Sequence, residues 1–149
     1  MCKRIIKKGK KTMKRIIFAM MLISASLFAN EIQWAKDFKS GAAIAKKENK
    51  PILFVYSNHG CKYCVVLEKT TFANKIVIEQ LNKDFVCIIA YADQRDPFPQ
   101  MLWRPGTPTL WFLDANAEPM YQPLMGAVGK DYFIEALKVV KKEFNSKKK

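Results

Sequence analysis

This 149-residue sequence predicts an α/β fold: a central mixed sheet with helices on both faces. Three observations carry that expectation. Ile52–Tyr56, Phe85–Tyr91 and Thr109–Leu113 are apolar runs of strand length, as buried strands require. The segments around them, Asp37–Lys50 and Lys130–Phe144 above all, repeat apolar residues at helical spacing. The order helix, strand, helix, strand, helix or loop, strand, strand, helix places helices between neighbouring strands, which leads to layers rather than a sandwich.

The elements follow in chain order. Residues 1–15 carry eight basic side chains (Lys3, Arg4, Lys7, Lys8, Lys10, Lys11, Lys14, Arg15) and no acid. A mostly apolar run of 14 residues, Ile16 to Ala29, follows, and then the polar pair Asn30-Glu31. A basic start, a short apolar core and a small closing residue form a secretory signal peptide. The run is shorter than the roughly 20 residues that span a bilayer. Cleavage is expected after Ala29, although Leu27 at the −3 position is larger than usual. Met13-Lys14-Arg15 would begin a signal of ordinary length equally well, and an uncleaved anchor is the alternative. Cys2 precedes the apolar run and so falls outside the mature chain. The expected location is periplasmic or secreted, with no stable membrane insertion once the signal is removed.

The leader accounts for eight of the 26 basic residues and none of the 13 acids, leaving 18 against 13, a net of +5. Five of those basic residues (Lys141, Lys142, Lys147, Lys148, Lys149) lie near the C-terminus, so the body is close to neutral. The overall charge of +13 therefore marks no nucleic-acid surface. About 120 residues remain, enough for one domain with its own core.

Asp37–Lys50 reads as an amphipathic helix with Phe38, Ala42 or Ala43, and Ala45 inward, and Pro51 ends it. Strand Ile52–Tyr56 runs into a turn marked by Asn58 and Gly60, and helix resumes from Cys64 to Lys69. Asn74 is a good N-cap for Lys75–Leu81. After Phe85–Tyr91, the prolines 97, 99 and 105 break Asp93–Pro105 into a loop or short helix. Strand Thr109–Leu113 leads to a turn at 114–118 and a short fourth strand at Met120-Tyr121. A last helix, Lys130–Phe144, repeats apolar residues at 133, 134, 137, 140 and 144. The folded domain is expected over residues 30–144, with 145–149 a disordered basic tail.

Three cysteines remain after the leader: Cys61, Cys64 and Cys87. Export implies an oxidising compartment where disulfides persist. Yet cross-linking stabilises most when it closes a long loop, and Cys61–Cys64 closes a minimal one. Chemistry explains the pair better than a staple does. Residues three apart on a helix have Cβ atoms about 5–6 Å apart, near disulfide distance. Cys61 in the first turn would meet unpaired N–H groups and the helix dipole, both of which favour a thiolate. Cys64, one turn deeper, would be the shielded thiol that resolves a mixed disulfide. Lys62 adds positive charge nearby, and His59, the only histidine, is expected to tune the pair from an exposed loop.

Other chemistries need more than is present. A structural zinc site wants four ligands, and only His59, Cys61 and Cys64 are close in sequence. A soft ion such as copper(I) held by those three is the alternative binding reading. Haem attachment needs histidine directly after the second cysteine, where Val65 stands. Cys87, inside an apolar strand, is expected to be buried and inert.

Strand, CxxC at a helix start, strand, then Gly106-Thr107-Pro108-Thr109 entering a strand, hairpin and final helix together resemble the thioredoxin fold over nearly all of residues 32–144. The resemblance implies that Pro108 is cis, packs against the CxxC and, with Thr107, offers backbone to substrate. Gly126 is similar to the glycine near the family's substrate groove. Within the family, Cys61-Lys62-Tyr63-Cys64 with Glu68-Lys69-Thr70-Thr71-Phe72, and Lys50-Pro51-Ile52-Leu53, most resemble exported thioredoxin-like proteins and the C-terminal domain of DsbD-type reductants. Gly60 replaces the tryptophan usual before the first cysteine, and Val55 replaces the buried acid six residues before it. Glu68, four residues after Cys64, is the candidate substitute base. Tyr63 and Thr107 instead resemble isomerase and glutaredoxin-like sites. The expected activity is thiol–disulfide exchange with protein thiols and disulfides, the reductase direction favoured over isomerase or oxidant. No cofactor or resident metal is implied, and electrons would come from a membrane or soluble thiol partner.

Overall fold

A computed structural model of the chain describes residues 30–147. The expected leader, residues 1–29, lies outside them. The elements run α1 (Phe38–Glu48), β1 (Ile52–Ser57), α2 (Lys62–Lys69), α3 (Lys75–Asp84), β2 (Val86–Tyr91), a 3-10 turn (Gln100–Leu102), β3 (Thr109–Leu113), β4 (Leu124–Met125) and α4 (Lys130–Ser146). Among the described residues no helix is long and apolar enough to cross a membrane.

The four strands form one mixed sheet in the order β2-β1-β3-β4. β1 pairs parallel with β2, Ile52 opposite Val86 through Ser57 opposite Tyr91. It pairs antiparallel with β3, Ile52 opposite Leu113 through Tyr56 opposite Thr109. That arrangement has one consequence for function: the C-terminal ends of β1 and β2 and the start of β3 share one edge of the sheet.

Alternation explains why β1 is apolar throughout. Successive side chains point to opposite faces, and here both faces are covered. Leu53 and Val55 join a core with Leu67, Phe72, Val77, Leu81, Phe112, Phe133 and Leu137, beneath α2, α3 and α4. Ile52 and Phe54 join the other, with Phe38, Ala45, Ile88, Trp111 and Leu102, beneath α1 and the 3-10 turn. α1 begins at Asp37, whose side chain accepts from the Ser40 N–H, and ends at Asn49 in a left-handed conformation. It lies so close to β2 that a Cβ on Gly41 would meet Ile88 at 2.5 Å. Gly41, Phe38 and Ala45 form its buried face, while Ala42 packs only partly and Ala43 faces solvent. Asn74 caps α3 through the Ile76 and Val77 N–H groups, as its sequence implies.

Two expectations change. The fourth strand is Leu124–Met125, opposite Leu110 and Thr109, and not Met120-Tyr121. Before it the returning backbone meets β3 at a bridge of Pro119 with Leu113 and a Met120 N–H to Phe112 carbonyl bond. From Pro119 to Leu124 the returning chain takes five steps against three on β3, so two residues are looped out. Pro119 and Pro123 lack an N–H, so the segment between them cannot sustain a ladder. The last helix also continues through Asn145 and Ser146, residues read as the start of a tail. A Ser146 hydroxyl bond to the Glu143 carbonyl and a Lys147–Glu143 ion pair support that extra half-turn.

Candidate active site

The loop after β1 is held by its own side chains. The Asn58 carboxamide accepts from the Gly60 N–H at 2.8 Å, and the Asn58 carbonyl accepts from the Cys61 N–H at 3.1 Å. Cys61 then stands as the N-cap of α2 in extended conformation, one position before the first turn in which its sequence places it. Its sulfur accepts the Cys64 N–H at 3.3 Å, the bond that a serine or aspartate oxygen makes in an ordinary cap. Helical spacing thus gives Cys61 a backbone donor and turns Cys64 inward, where it is 1% exposed.

The loop before β3 closes the other side. The Thr107–Pro108 peptide bond is cis, and the Cys61 thiol donates to the Thr107 carbonyl at 3.3 Å. Pro108 offers its carbonyl to the Gly126 N–H at 2.9 Å, and Gly126 has φ +84, a conformation that glycine adopts without strain. The Thr109 hydroxyl bonds the Gly106 carbonyl at 2.8 Å, and the Thr71 hydroxyl bonds the Val128 carbonyl at 2.6 Å. Thr71, Thr109 and Ser57 are buried polar residues, and all three lie around this end of the sheet.

The two thiols are unlike. Partial burial pushes Cys61 up, but hydrogen bonds with Cys64, the Thr107 side chain and the Tyr63 backbone outweigh it and hold the thiol below its ordinary value. Burial, then the hydrogen bond with Cys61, pushes Cys64 above its ordinary value despite opposing contacts from Thr107, Ser57 and the Asn58 N–H. The thiol nearer solvent is therefore the better thiolate and the inner one the better proton carrier. The third thiol, Cys87, is enclosed in β2 and pushed up to about 12 by burial alone.

Of the other sequence candidates, Tyr63 and Lys62 are exposed on the first turn of α2. The leading influences on Cys61 come from burial and its hydrogen bonds, not from Lys62. Glu68 is exposed and reaches back to accept from the Ser57 hydroxyl at 3.4 Å. His59 does not converge on the cysteines as a ligand. Its Nδ1 lies 2.8 Å from Asp93 Oδ2, its N–H donates to Asp93 Oδ1 at 3.2 Å, and its ring stacks on Tyr91 at 3.9 Å. Among the described residues no group of three or more His, Cys, Asp or Glu is placed to hold a metal ion.

Ser57, Tyr91 and Asp93 are site neighbours that a linear reading passes over. The signal lies in the parallel pairing: Ser57 opposite Tyr91 brings the residues just past each strand together, and the Ala92 N–H bonds the Ser57 carbonyl at 2.9 Å.

This geometry has known counterparts. The thioredoxin-like domain family matches residues 38–141. Among curated relatives, Anterior gradient protein 2 of Xenopus laevis is 28% identical over 61 residues, 41% of this chain and 33% of that protein, so the match spans about a third of its length. Among solved structures, the DsbH oxidoreductase superposes with a TM-score of 0.65 at 15% identity, over 78% of this chain and 89% of that one. A thioredoxin from Thermus thermophilus gives 0.63 at 25% identity, over 74% and 87%. The oxidised DsbD C-terminal domain of Neisseria meningitidis gives 0.54 at 19% identity, over 67% and 89%, a likeness of fold. With its strand order, its CxxC at the start of α2 and its X-Pro turn before β3, the chain belongs to the thioredoxin-like domain family.

Proposed function

We propose that the protein is an exported thiol–disulfide oxidoreductase that exchanges disulfides with protein partners through Cys61 and Cys64. The observation that carries this reading is the asymmetry of the pair: a part-exposed thiol that accepts the Cys64 N–H and is held low by its hydrogen bonds, and a buried thiol held high one turn behind it. The Cys61 thiolate attacks a substrate disulfide, forming a mixed disulfide and releasing one substrate thiolate. Cys64 then attacks Cys61 Sγ, forming the Cys61–Cys64 disulfide and releasing the second thiolate. Two electrons leave the pair and reduce the substrate, and a dithiol partner, membrane-bound or soluble, returns them. Thr107 and Pro108 border the sulfur that reacts, where substrate backbone would lie.

Replacing Cys64 with alanine stops the cycle at its midpoint. The Cys64→Ala protein is expected to accumulate a mixed disulfide that a reductant releases. If no such adduct forms with a disulfide-bonded substrate such as insulin, exchange through Cys61 is excluded. The reductase direction, favoured by the DsbD-like residues around the pair, is tested by the equilibrium reduction potential. A value near about −270 mV supports it, and one near about −120 mV makes the protein an oxidant. Export rests on the pattern of residues 1–29. Recovery of the full-length precursor from the cytosol alone would remove it.

A further inference from the structure

We propose that the Ser57 hydroxyl relays the proton of Cys64 to Glu68, so that Ser57 is the missing link between a buried resolving thiol and an exposed base. The proposal rests on the oxidoreductase reading above and concerns its second step.

Resolution requires Cys64 to lose a proton in a place that water barely reaches, since the residue is 1% exposed. Val55, where the family's buried acid would stand, is apolar and 1% exposed, and can accept no proton. Glu68, one turn along the same helix, could take the proton, but it is an exposed residue. Ser57 fills the gap. It ends β1, is 2% exposed, and donates to Glu68 Oε1 at 3.4 Å. Its hydroxyl also contacts the Cys64 sulfur, where it favours the thiolate against burial. A bond of 3.4 Å is long for two oxygens, and catalytic hydrogen bonds often tighten only in the reacting complex. Tyr91 also faces this cluster: burial, then the charges of Glu68, Asp93, Asp96 and Cys64, pushes its phenol up, so it keeps its proton.

The step balances. As Cys64 Sγ attacks Cys61 Sγ, its proton passes to Ser57 Oγ and the Ser57 proton passes to Glu68 Oε1. The Cys61–Cys64 bond forms and the bond from Cys61 to substrate sulfur breaks. The substrate leaves as thiolate with the electron pair. Glu68 returns the proton to water.

Stopped-flow reaction of the reduced protein with dithiobisnitrobenzoate separates the two steps. The first thionitrobenzoate released reports attack by Cys61, and the second reports resolution by Cys64. Ser57→Ala and Glu68→Gln are each expected to leave the first release unchanged and slow the second by about tenfold or more, within the range of general acid–base catalysis. The double variant should be no slower than the slower single, because both remove one relay. The wild-type second release should level off at a pH where the variants still climb. An unchanged second release and pH profile in Ser57→Ala overturns the relay. So does a slowed Ser57→Ala beside an unaffected Glu68→Gln, or effects that multiply, since these are the marks of packing alone. Glu68 is exposed, so its variant keeps the test open if Ser57→Ala fails to fold. No second release from the wild type would instead refute the oxidoreductase reading and the relay with it.

Discussion

Cys87 lies inside β2, opposite Leu53 of β1, while Cys61 lies four residues past the end of that same β1 strand. Cys87 is walled in by apolar side chains, and burial alone acts on its sulfur. Cys61 meets a backbone N–H, a second thiol and the first turn of a helix, and these outweigh its partial burial. The difference teaches that reactivity here comes from where the chain ends its regular structure. Inside the ladder, backbone donors are spent on neighbouring strands; at a helix start they are unpaired and turn toward whatever sits in the cap.

The largest expected effect separates the two sulfurs outright. Cys61→Ser should lower disulfide-reducing activity by about three orders of magnitude or more, because no thiolate is left to attack. Cys87→Ala should keep the rate within about twofold of wild type. An insulin-reduction assay on both variants breaks the contrast if Cys87→Ala falls as far as Cys61→Ser.

A smaller effect appears in alkali. The unfolded chain gives up the Cys87 proton above its ordinary value of 9.0, whereas the folded chain keeps it to about 12. Unfolding is therefore favoured as pH rises through that window. Wild type should lose up to about 1.4 kcal/mol of stability per pH unit more than Cys87→Ala does. Urea unfolding of both proteins between about pH 9 and 11 measures the slope; parallel curves would mean that Cys87 is not sealed.

The smallest effect concerns the loop that presents Cys61. The hydrogen bond from the His59 ring, aided by the His59 N–H, holds the Asp93 carboxyl below its usual range against slight desolvation. The clamp is intact at neutral pH and is lost as pH falls through that lowered value. Asp93→Ala should change the alkylation rate of Cys61 by about two- to fivefold, the scale of an exposed ion pair. The ratio of the two proteins should approach one in acid. A ratio independent of pH would show that the carboxylate is not what steadies the loop.

Much of the site was legible in residue order because its chemistry is local. The CxxC spacing needs only one helical turn to bring the sulfurs together, and Ile52–Tyr56 before it could only be a covered strand. Local signals failed where partners are distant in sequence. Met120-Tyr121 has the composition of a strand, but pairing is decided by donors on β3 and by Pro119 and Pro123. His59 reads as an exposed loop residue tuning the pair, whereas it bonds Asp93, 34 residues away, which the β1–β2 register brings beside it.

The amino-acid sequence by itself determined the layers, the three long strands and the reactive pair, since burial periodicity and i,i+3 spacing are properties of neighbours along the chain. Only the tertiary structure decided that the Cys61 thiol reaches the Thr107 carbonyl, that the Ser57 hydroxyl bonds Glu68, and that Asp93 holds His59. Those facts depend on hydrogen bonds between segments that meet at one edge of the sheet, and such contacts form only when the chain folds.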